Sequence, residues 1–239
     1  MDKQGEFSVI TGAGRGIGKA IALRLAKEGH NVALISRTES ELREVKNEVE
    51  GNGVECIFYQ GDVGDEIFVK KAVKDILSRY SKIDHLINNA GIAFIRKLVD
   101  SSLDEFKRQI NTNLYGVYNF TKAVLPGMIE RRSGSIINIS SLAGKNSFVG
   151  GTMYSASKHA LMGLTRSLML EVREYNIRVA AICPGSVESE FARDSEMDPR
   201  SKGGILKPAD VAESVAAIIK MPPRALISEI DLRPTNPQR

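Results

Sequence analysis

The sequence has few of the residues that form metal centres or disulfides. Its only cysteines, Cys56 and Cys183, stand too far apart for a CxxC redox or zinc motif, so we expect both to be reduced. Of its three histidines, His30, His85 and His159, none is spaced as a ligand beside a second histidine or a cysteine. The sequence therefore predicts no metal site.

Long apolar runs and blocks of one charge are also missing. No stretch approaches about 18 consecutive apolar residues, so no membrane span is expected. The first residues lead directly into a strand-like run, without the apolar core and small-residue cleavage site of a signal peptide. Basic residues exceed acidic ones by 33 to 29, but the two signs are interspersed, so no nucleic-acid partner is expected. These absences favour a soluble cytoplasmic protein.

What is present is an ordinary globular composition, with 42% hydrophobic and 26% charged residues. A chain of 239 residues is long enough to bury about 70 to 75% of its unfolded surface. No linker rich in proline, glycine or serine divides it, and it has no internal repeat. We therefore expect residues 1–239 to form a single domain.

Apolar and amphipathic segments alternate along the chain, which is typical of repeated strand-helix units that build a parallel sheet. Seven strands are predicted, at 7–11, 31–36, 54–60, 84–88, 135–140, 177–183 and 225–232. The clearest helices are predicted at 16–29, 40–50, 102–130 and 152–175. The expected α/β fold is an open, doubly wound sheet of seven parallel strands with helices on both faces. The least regular stretch, about 186–207, is predicted to be a substrate loop.

A glycine-rich turn, TGAGRGIG at 11–18, follows the first predicted strand. Glycines permit a tight turn and let the backbone approach a pyrophosphate, while the free N–H groups of the following helix favour an anion. Because the turn stands between a strand and an amphipathic helix, it predicts a dinucleotide site. The residues predicted to bind the cofactor here are Gly12, Gly14, Arg15, Gly16, Ile17 and Gly18.

The end of the second strand indicates which dinucleotide binds. Sites that prefer NAD carry a carboxylate about 20 residues after the glycines, to bind the ribose hydroxyls. This chain has Ser36 and Arg37 there instead. Arg37 can bind a 2'-phosphate bidentately and Arg15 can approach it from the glycine turn, so the residues favour NADP(H).

Tyr154 and Lys158 stand four residues apart in a predicted helix, which places them on one face. A phenol has an ordinary pKa of about 10 and is a poor acid-base group at neutral pH. A nearby ammonium group is expected to stabilise the phenolate and so to lower the pKa of Tyr154.

Seven motifs occur in order along the chain: 11–18, 62–63, 88–91, Asn113, 140–141, Tyr154 with Lys158, and 184–187. Together they resemble those of the short-chain dehydrogenase/reductase family, and the match covers nearly the whole chain. The resemblance implies a single-domain Rossmann fold and an NADP(H)-dependent oxidoreductase that interconverts a carbonyl and an alcohol.

The resemblance also implies roles for single residues. Tyr154 would be the general acid in reduction, and Lys158 would lower its pKa and bind the nicotinamide ribose. Ser141 would hydrogen-bond with the substrate carbonyl; Ser140 is the rival, but the family's spacing from the tyrosine selects Ser141. Asn113 would complete a proton relay through water. Further cofactor contacts would come from Asp62, Val63, Asn89, Ala90, Gly91, Pro184, Gly185 and Val187.

The sequence leaves two classes of substrate open. The chain most resembles 3-oxoacyl-[acyl-carrier-protein] reductases, for which Arg131 and Arg132 are candidates to bind an acidic carrier protein. Its ending, Arg-Pro-Thr at 233–235, is instead similar to that of broad carbonyl or 3-hydroxy acid dehydrogenases. A non-catalytic NADP-binding sensor or scaffold is a third hypothesis. A homotetramer or homodimer is expected, with 102–130 and 152–175 as contact helices.

Overall fold

A computed structural model describes residues 5–188 and 205–236. Its strands are β1 (Phe7–Thr11), β2 (Asn31–Ser36), β3 (Cys56–Gln60), β4 (His85–Asn88), β5 (Gly134–Ile139), β6 (Ile177–Pro184) and β7 (Glu229–Leu232). All pair in parallel, in the order β3-β2-β1-β4-β5-β6-β7. The predicted doubly wound α/β sheet is confirmed.

The helices are α1 (Gly16–Lys27), α2 (Glu39–Glu50), α3 (Glu66–Tyr80), α4 (Leu103–Ile110), α5 (Gly116–Arg131), α6 (Thr152–Val172) and α7 (Pro208–Lys220). Successive side chains of a strand point to opposite faces. In β1, Ile10 packs with α1, α2 and α7, whereas Phe7 and Val9 pack with α3, α5 and α6. The sheet is therefore covered on both faces, which explains why its central strands are continuous apolar runs.

The predicted helix 102–130 is divided in the structure. Ser102 caps α4, and its capping box with Glu105 holds the first turn. A π-helical turn, Asn111–Tyr115, then separates α4 from α5. Such a turn shifts the side chains around the helix axis, and it often marks a functional site. The last strand is also shorter than predicted, because only Glu229–Leu232 pairs with β6.

The loops that carry the predicted motifs meet at one edge of the sheet. In a parallel sheet every strand ends at the same edge, and ligands bind where the strand order reverses. Here the order reverses between β1 and β4. The glycine turn follows β1 and Asn89 follows β4, so both lie at this crevice. Within the described residues, no helix has both the length and the apolar character needed to cross a membrane.

Candidate active site

The glycine turn after β1 packs tightly against the loop that follows β4. Gly12 has a φ of +64°, and a Cβ atom there would lie 2.8 Å from the Cα atom of Ala90. The Asn89 side chain donates hydrogen bonds to the carbonyl oxygens of Thr11 (3.0 Å) and Gly12 (3.1 Å). The Thr11 hydroxyl accepts the backbone N–H groups of Asn89 and Ala90, each at 3.0 Å. Two predicted cofactor motifs are thus joined in one packed unit.

The start of α1 has the features of an anion-binding site. Gly16 begins the helix with a φ of +54°, and a Cβ atom at Gly18 would lie 2.1 Å from the Gly12 carbonyl oxygen. The preceding Arg15 makes no side-chain cap, and the first turn holds no acidic residue. Free N–H groups and the helix dipole favour a pyrophosphate at such a start. The residues present, with Ile17 partly buried among them, therefore fit the predicted dinucleotide.

The two arginines predicted to bind a 2'-phosphate are exposed, and the structure adds an unpredicted carboxylate beside them. Glu41 Oε1 lies 3.8 Å from Arg15 Nη1. A Cβ atom at Gly14 would lie 2.6 Å from Glu41 Oε2 and 3.1 Å from Ser36 Oγ. The spacing of residues in the sequence does not predict the contact between Arg15 and Glu41, because this contact arises from the packing of α2 against α1. Arg37 follows Ser36 at the same end of β2.

The structure brings Ser141, Tyr154 and Lys158 together. Tyr154 and Lys158 lie near the start of α6 and are buried, and Tyr154 hydrogen-bonds with the Ser141 side chain after β5. The Lys158 Nζ atom donates to the carbonyl oxygen of Ile139 at 3.0 Å and lies 5.9 Å from the Tyr154 ring centre. The rival Ser140 is buried too, but its hydroxyl has no hydrogen-bond partner among the described residues.

Burial sets the proton affinities of this pair. It raises the pKa of Tyr154 to about 12, against a lowering by the hydrogen bond with Ser141. It also lowers the pKa of Lys158 to about 8. The pKa of Tyr154 shifts in the direction opposite to the expected one. Removing a phenolate from water costs more free energy than the hydrogen bond with Ser141 offsets. The role of Lys158 as an activator of Tyr154 stays a prediction.

Asn113 lies in the π-helical turn and is fully buried. Its Oδ1 accepts the N–H of Ile92 at 2.8 Å, and its Nδ2 donates to the Ile92 carbonyl at 2.9 Å. Nδ2 also donates to Ser157 Oγ at 3.0 Å, and Ser157 donates to the Tyr154 carbonyl at 2.8 Å. Asn113 therefore ties the loop after β4 to the helix that carries Tyr154. Its predicted part in a water relay is not tested by these contacts.

Asp62 and Val63 lie just after β3. The Asp62 Oδ1 atom accepts the N–H of Gly64 at 2.8 Å, which shapes the turn. Val63 is buried, and a Cβ atom at Gly116 would lie 2.4 Å from its Cγ2 atom. The side chain of Val63 thus belongs to the core, so a contact with the cofactor would fall to its backbone.

The segment 184–187 leaves the end of β6. Pro184 is buried, and the Gly185 N–H donates to the Leu232 carbonyl at 2.8 Å. Val187 forms an isolated parallel bridge with Leu206, so the two ends of the predicted substrate loop 186–207 are joined. Residues 189–204 of that loop lie outside the described residues. Ala90 and Gly91 are partly buried after β4, on the other side of the crevice.

Arg131 and Arg132 do not lie where a carrier protein would reach the catalytic residues of the same chain. The Arg131 guanidinium donates to the Ile83 carbonyl at 2.8 Å, and that of Arg132 donates to the Glu174 carbonyl. Ile83 lies just before β4 begins and Glu174 just before β6 begins. Both arginines therefore lie at the edge of the sheet opposite Tyr154. A carrier protein held by these arginines would therefore not lie beside Tyr154 of the same chain, because α5 runs away from that edge.

A dinucleotide cradle and a buried tyrosine-lysine pair at one sheet edge define an oxidoreductase. The chain belongs to the short-chain dehydrogenase family, whose model matches residues 6–200. It is 36% identical over 222 residues to "3-oxoacyl-[acyl-carrier-protein] reductase FabG" of Thermotoga maritima, covering 90% of each chain. It is 39% identical over 190 residues to the protein of the same description in Staphylococcus aureus, covering 79% of this chain and 77% of that one.

Solved structures agree with this family. An alcohol dehydrogenase from the archaeon Thermococcus sibiricus, complexed with 5-hydroxy-NADP, superposes with a TM-score of 0.90 at 31% identity, covering 99% of this chain and 100% of that one. A metagenomic short-chain oxidoreductase in complex with NADP superposes with a TM-score of 0.86 at 33% identity, with the same coverage. The prediction of an enzyme is confirmed, and the hypothesis of a non-catalytic sensor or scaffold is set aside.

Proposed function

We propose that this chain reduces the 3-oxo group of an acyl thioester to an alcohol, with NADPH as the hydride donor. The observation that carries the proposal is the buried Tyr154, which hydrogen-bonds with Ser141 at the same sheet edge as the glycine turn. At neutral pH Tyr154 carries a proton that it can give to a carbonyl oxygen, as a general acid must. Burial makes it a weaker acid than a free phenol, and in this proposal the charge of Lys158 acts against that effect.

NADP(H) is the cofactor, and when bound it supplies the hydride. The glycine turn and the uncapped start of α1 fit its pyrophosphate. Arg15 and Arg37 are exposed beside that turn, where guanidinium groups suit a 2'-phosphate. In this proposal the rest of the cofactor contacts Asp62, Val63, Asn89, Ala90, Gly91, Pro184, Gly185 and Val187.

The protein's own part in the reaction is to hold and transfer a proton. Tyr154 gives the proton of its hydroxyl to the carbonyl oxygen as the carbonyl carbon gains hydride, so that C=O becomes CH–OH. Ser141 donates a hydrogen bond to the same oxygen and lowers the energy of its developing charge. Lys158 holds a positive charge near the phenol and binds the nicotinamide ribose, and Asn113 connects the site to water.

The 3-oxoacyl thioester is favoured over other carbonyls by the two reductases that share 36% and 39% identity with this chain. Small alcohols or 3-hydroxy acids are the second candidate. The likeness to the Thermococcus alcohol dehydrogenase favours them, as does a serine dehydrogenase complexed with NADP+, with a TM-score of 0.89 at 31% identity. An acyl carrier protein is the partner that the first candidate implies.

The outer faces of α5 and α6 support a further part of the proposal, that copies of the chain assemble as a homodimer or homotetramer. Tyr118 of α5 and Leu170 of α6 are about half exposed, at 47% and 57%, as is Tyr115 at the end of the preceding π-helical turn, at 55%. A groove of about 610 Å³ between the helices is lined by Leu114, Tyr118 and Leu164, among others. A second copy would remove these apolar groups from water.

The test follows NADPH absorbance with acetoacetyl thioesters of coenzyme A and of acyl carrier protein, and with a panel of small ketones, aldehydes and 3-oxo acids. Turnover with a thioester at a kcat/KM at least tenfold above every small carbonyl supports the first candidate. The reverse order supports the second.

Tyr154→Phe should keep NADPH binding and lose most turnover; a variant that retains near full rate would overturn the role of Tyr154.

A further inference from the structure

At the sheet edge opposite the catalytic residues, three side chains meet that are far apart in sequence. Glu6 precedes β1, His30 precedes β2, and His85 begins β4. Because β1 lies between β2 and β4 in the sheet, these starts are adjacent. One potential ligand atom from each side chain lies within 4.8 Å of the others. We propose that Glu6, His30 and His85 form a binding site for a divalent transition-metal ion of the Zn²⁺ class.

The distances suit a tetrahedral ion. The Glu6 Oε2 atom lies 3.3 Å from the Nε2 atom of His30 and 3.3 Å from that of His85. Zinc binds imidazole nitrogen and carboxylate oxygen at about 2.0–2.2 Å, which places neighbouring ligand atoms of a tetrahedral site about 3.3 Å apart. Two histidines and one glutamate are also a known ligand set of open zinc sites.

The burial of the imidazoles is a second observation that points to a ligand. His85 is only 3% exposed; its Nδ1 atom has no hydrogen-bond partner among the described residues, and its Nε2 atom faces the Glu6 carboxylate at 3.3 Å. A buried polar atom without a partner destabilises the fold. Coordination of an ion would satisfy Nε2 of His85.

The surroundings orient the second histidine. His30 Nδ1 lies 3.0 Å from the hydroxyl of the fully buried Ser8. When Nδ1 donates to Ser8, Nε2 carries the lone pair that a metal needs. The nearby cation Lys82 pairs with Asp84 at 3.1 Å, and the Glu6 side chain is 55% exposed, which gives an ion access from solvent.

Zinc binding by the full-length chain tests the proposal. After treatment with a chelator and dialysis, the protein should bind one equivalent of Zn²⁺ in calorimetric titration, and Co²⁺ should give the visible absorption of a tetrahedral site. Glu6→Gln and His85→Gln should weaken Zn²⁺ binding by more than about 100-fold. Ser8→Ala removes only the orienting partner and should weaken it by about 10-fold.

His159→Gln is the matched control, because this third histidine lies on α6 with its Nδ1 near the Ser155 carbonyl, at 2.9 Å. It should bind Zn²⁺ like the unchanged chain. NADPH binding, measured at the opposite edge, reports whether each variant is folded. Absence of stoichiometric Zn²⁺ binding, or equal affinity in Glu6→Gln and the unchanged chain, would overturn the proposal and leave the proposed function untouched.

Discussion

Burial, rather than charge pairing, dominates the chemistry of Tyr154 and Lys158. Both side chains lie inside the protein, at 8% and 4% exposed. A low-dielectric environment penalises the charged form of each group, so the pKa of Tyr154 rises and that of Lys158 falls. The tyrosine is therefore protonated at neutral pH and is a weaker acid than a free phenol. The lysine is the group of this pair that titrates in the range of an ordinary assay.

We expect the kcat/KM for carbonyl reduction to fall as the pH rises through about 8. The pKa of Lys158 is lowered to about 8 by burial, so its positive charge is present below that pH and lost above it. Tyr154, with a pKa of about 12, remains protonated throughout. A pH profile from 6 to 10 measures this, since kcat/KM reports the free enzyme. A reduction rate that stays level up to pH 10 would contradict it.

Glu41→Gln should tighten NADP(H) binding by about two- to fivefold. The Glu41 carboxylate lies 3.8 Å from Arg15 and beside Gly14, so it competes with a 2'-phosphate for the guanidinium and repels its charge. Exposed ion pairs of this kind are worth about 0.2–1 kcal/mol, which sets the size of the effect. Fluorescence titration with NADPH and NADH measures it. The affinity for NADH, which lacks the phosphate, is the control and should change little; an unchanged NADPH affinity would refute the competition.

At the scale of elements, the edge strand β7 is held to the region of Ser141 and α6 by a cluster of ion pairs. Glu229 Oε1 lies 2.6 Å from Arg166 Nε of α6, and its Oε2 lies 2.7 Å from Lys145 Nζ. Lys145 follows the turn that begins after Ser141. These contacts connect the last strand, α6 and the turn after Ser141. Hydrogen bonds from Arg166 and Lys145 lower the pKa of Glu229 to about 2, although partial burial opposes them.

Glu229→Gln should lower the free energy of unfolding at pH 7 by about 1 kcal/mol, a value reduced for partial exposure of the pair. A carboxyl with a depressed pKa stabilises the fold above its ordinary pKa of 4.5, and this is lost as the pH falls toward about 2. The difference between the variant and the unchanged chain should therefore shrink between those pH values. Urea unfolding at several pH values measures this.

Glu213→Gln is the matched control for that measurement. Its carboxylate lies 2.6 Å from Arg24 but is 63% exposed, so we expect a smaller loss of stability. An equal loss in both variants would show that burial and the second cation at Glu229 add nothing.

At the scale of the whole molecule, Gly163 on α6 offers a clean test of the proposed assembly. A Cβ atom there would meet nothing within 4 Å in a single chain, and replacing a glycine inside a helix stabilises it by up to about 1 kcal/mol. Gly163→Glu should therefore fold well but dissociate a dimer or tetramer packed through α5 and α6. Sedimentation velocity measures the mass. Asn47→Glu, on the exposed face of α2, is the control and should leave the mass unchanged.

Much of the fold could be predicted from local pattern. The β1 and β2 bounds and the glycine turn follow from short apolar runs and adjacent glycines, which act over a few residues. The π-helical turn at Asn111–Tyr115 was missed, because the helical periodicity on either side of it differs only by one residue in register. The spacing of Tyr154 and Lys158 likewise placed both on one helix face, but it gave no measure of their burial.

The sequence by itself determined the alternation of strands and helices, the glycine turn and the order of the motifs, because each depends on neighbours along the chain. Only the tertiary structure decided that Glu6, His30 and His85 meet, that Glu41 lies beside Arg15, and that burial raises the pKa of Tyr154. The physical reason is the parallel sheet. It gathers the starts of distant strands at one edge and their ends at the other, and it removes side chains between its layers from water.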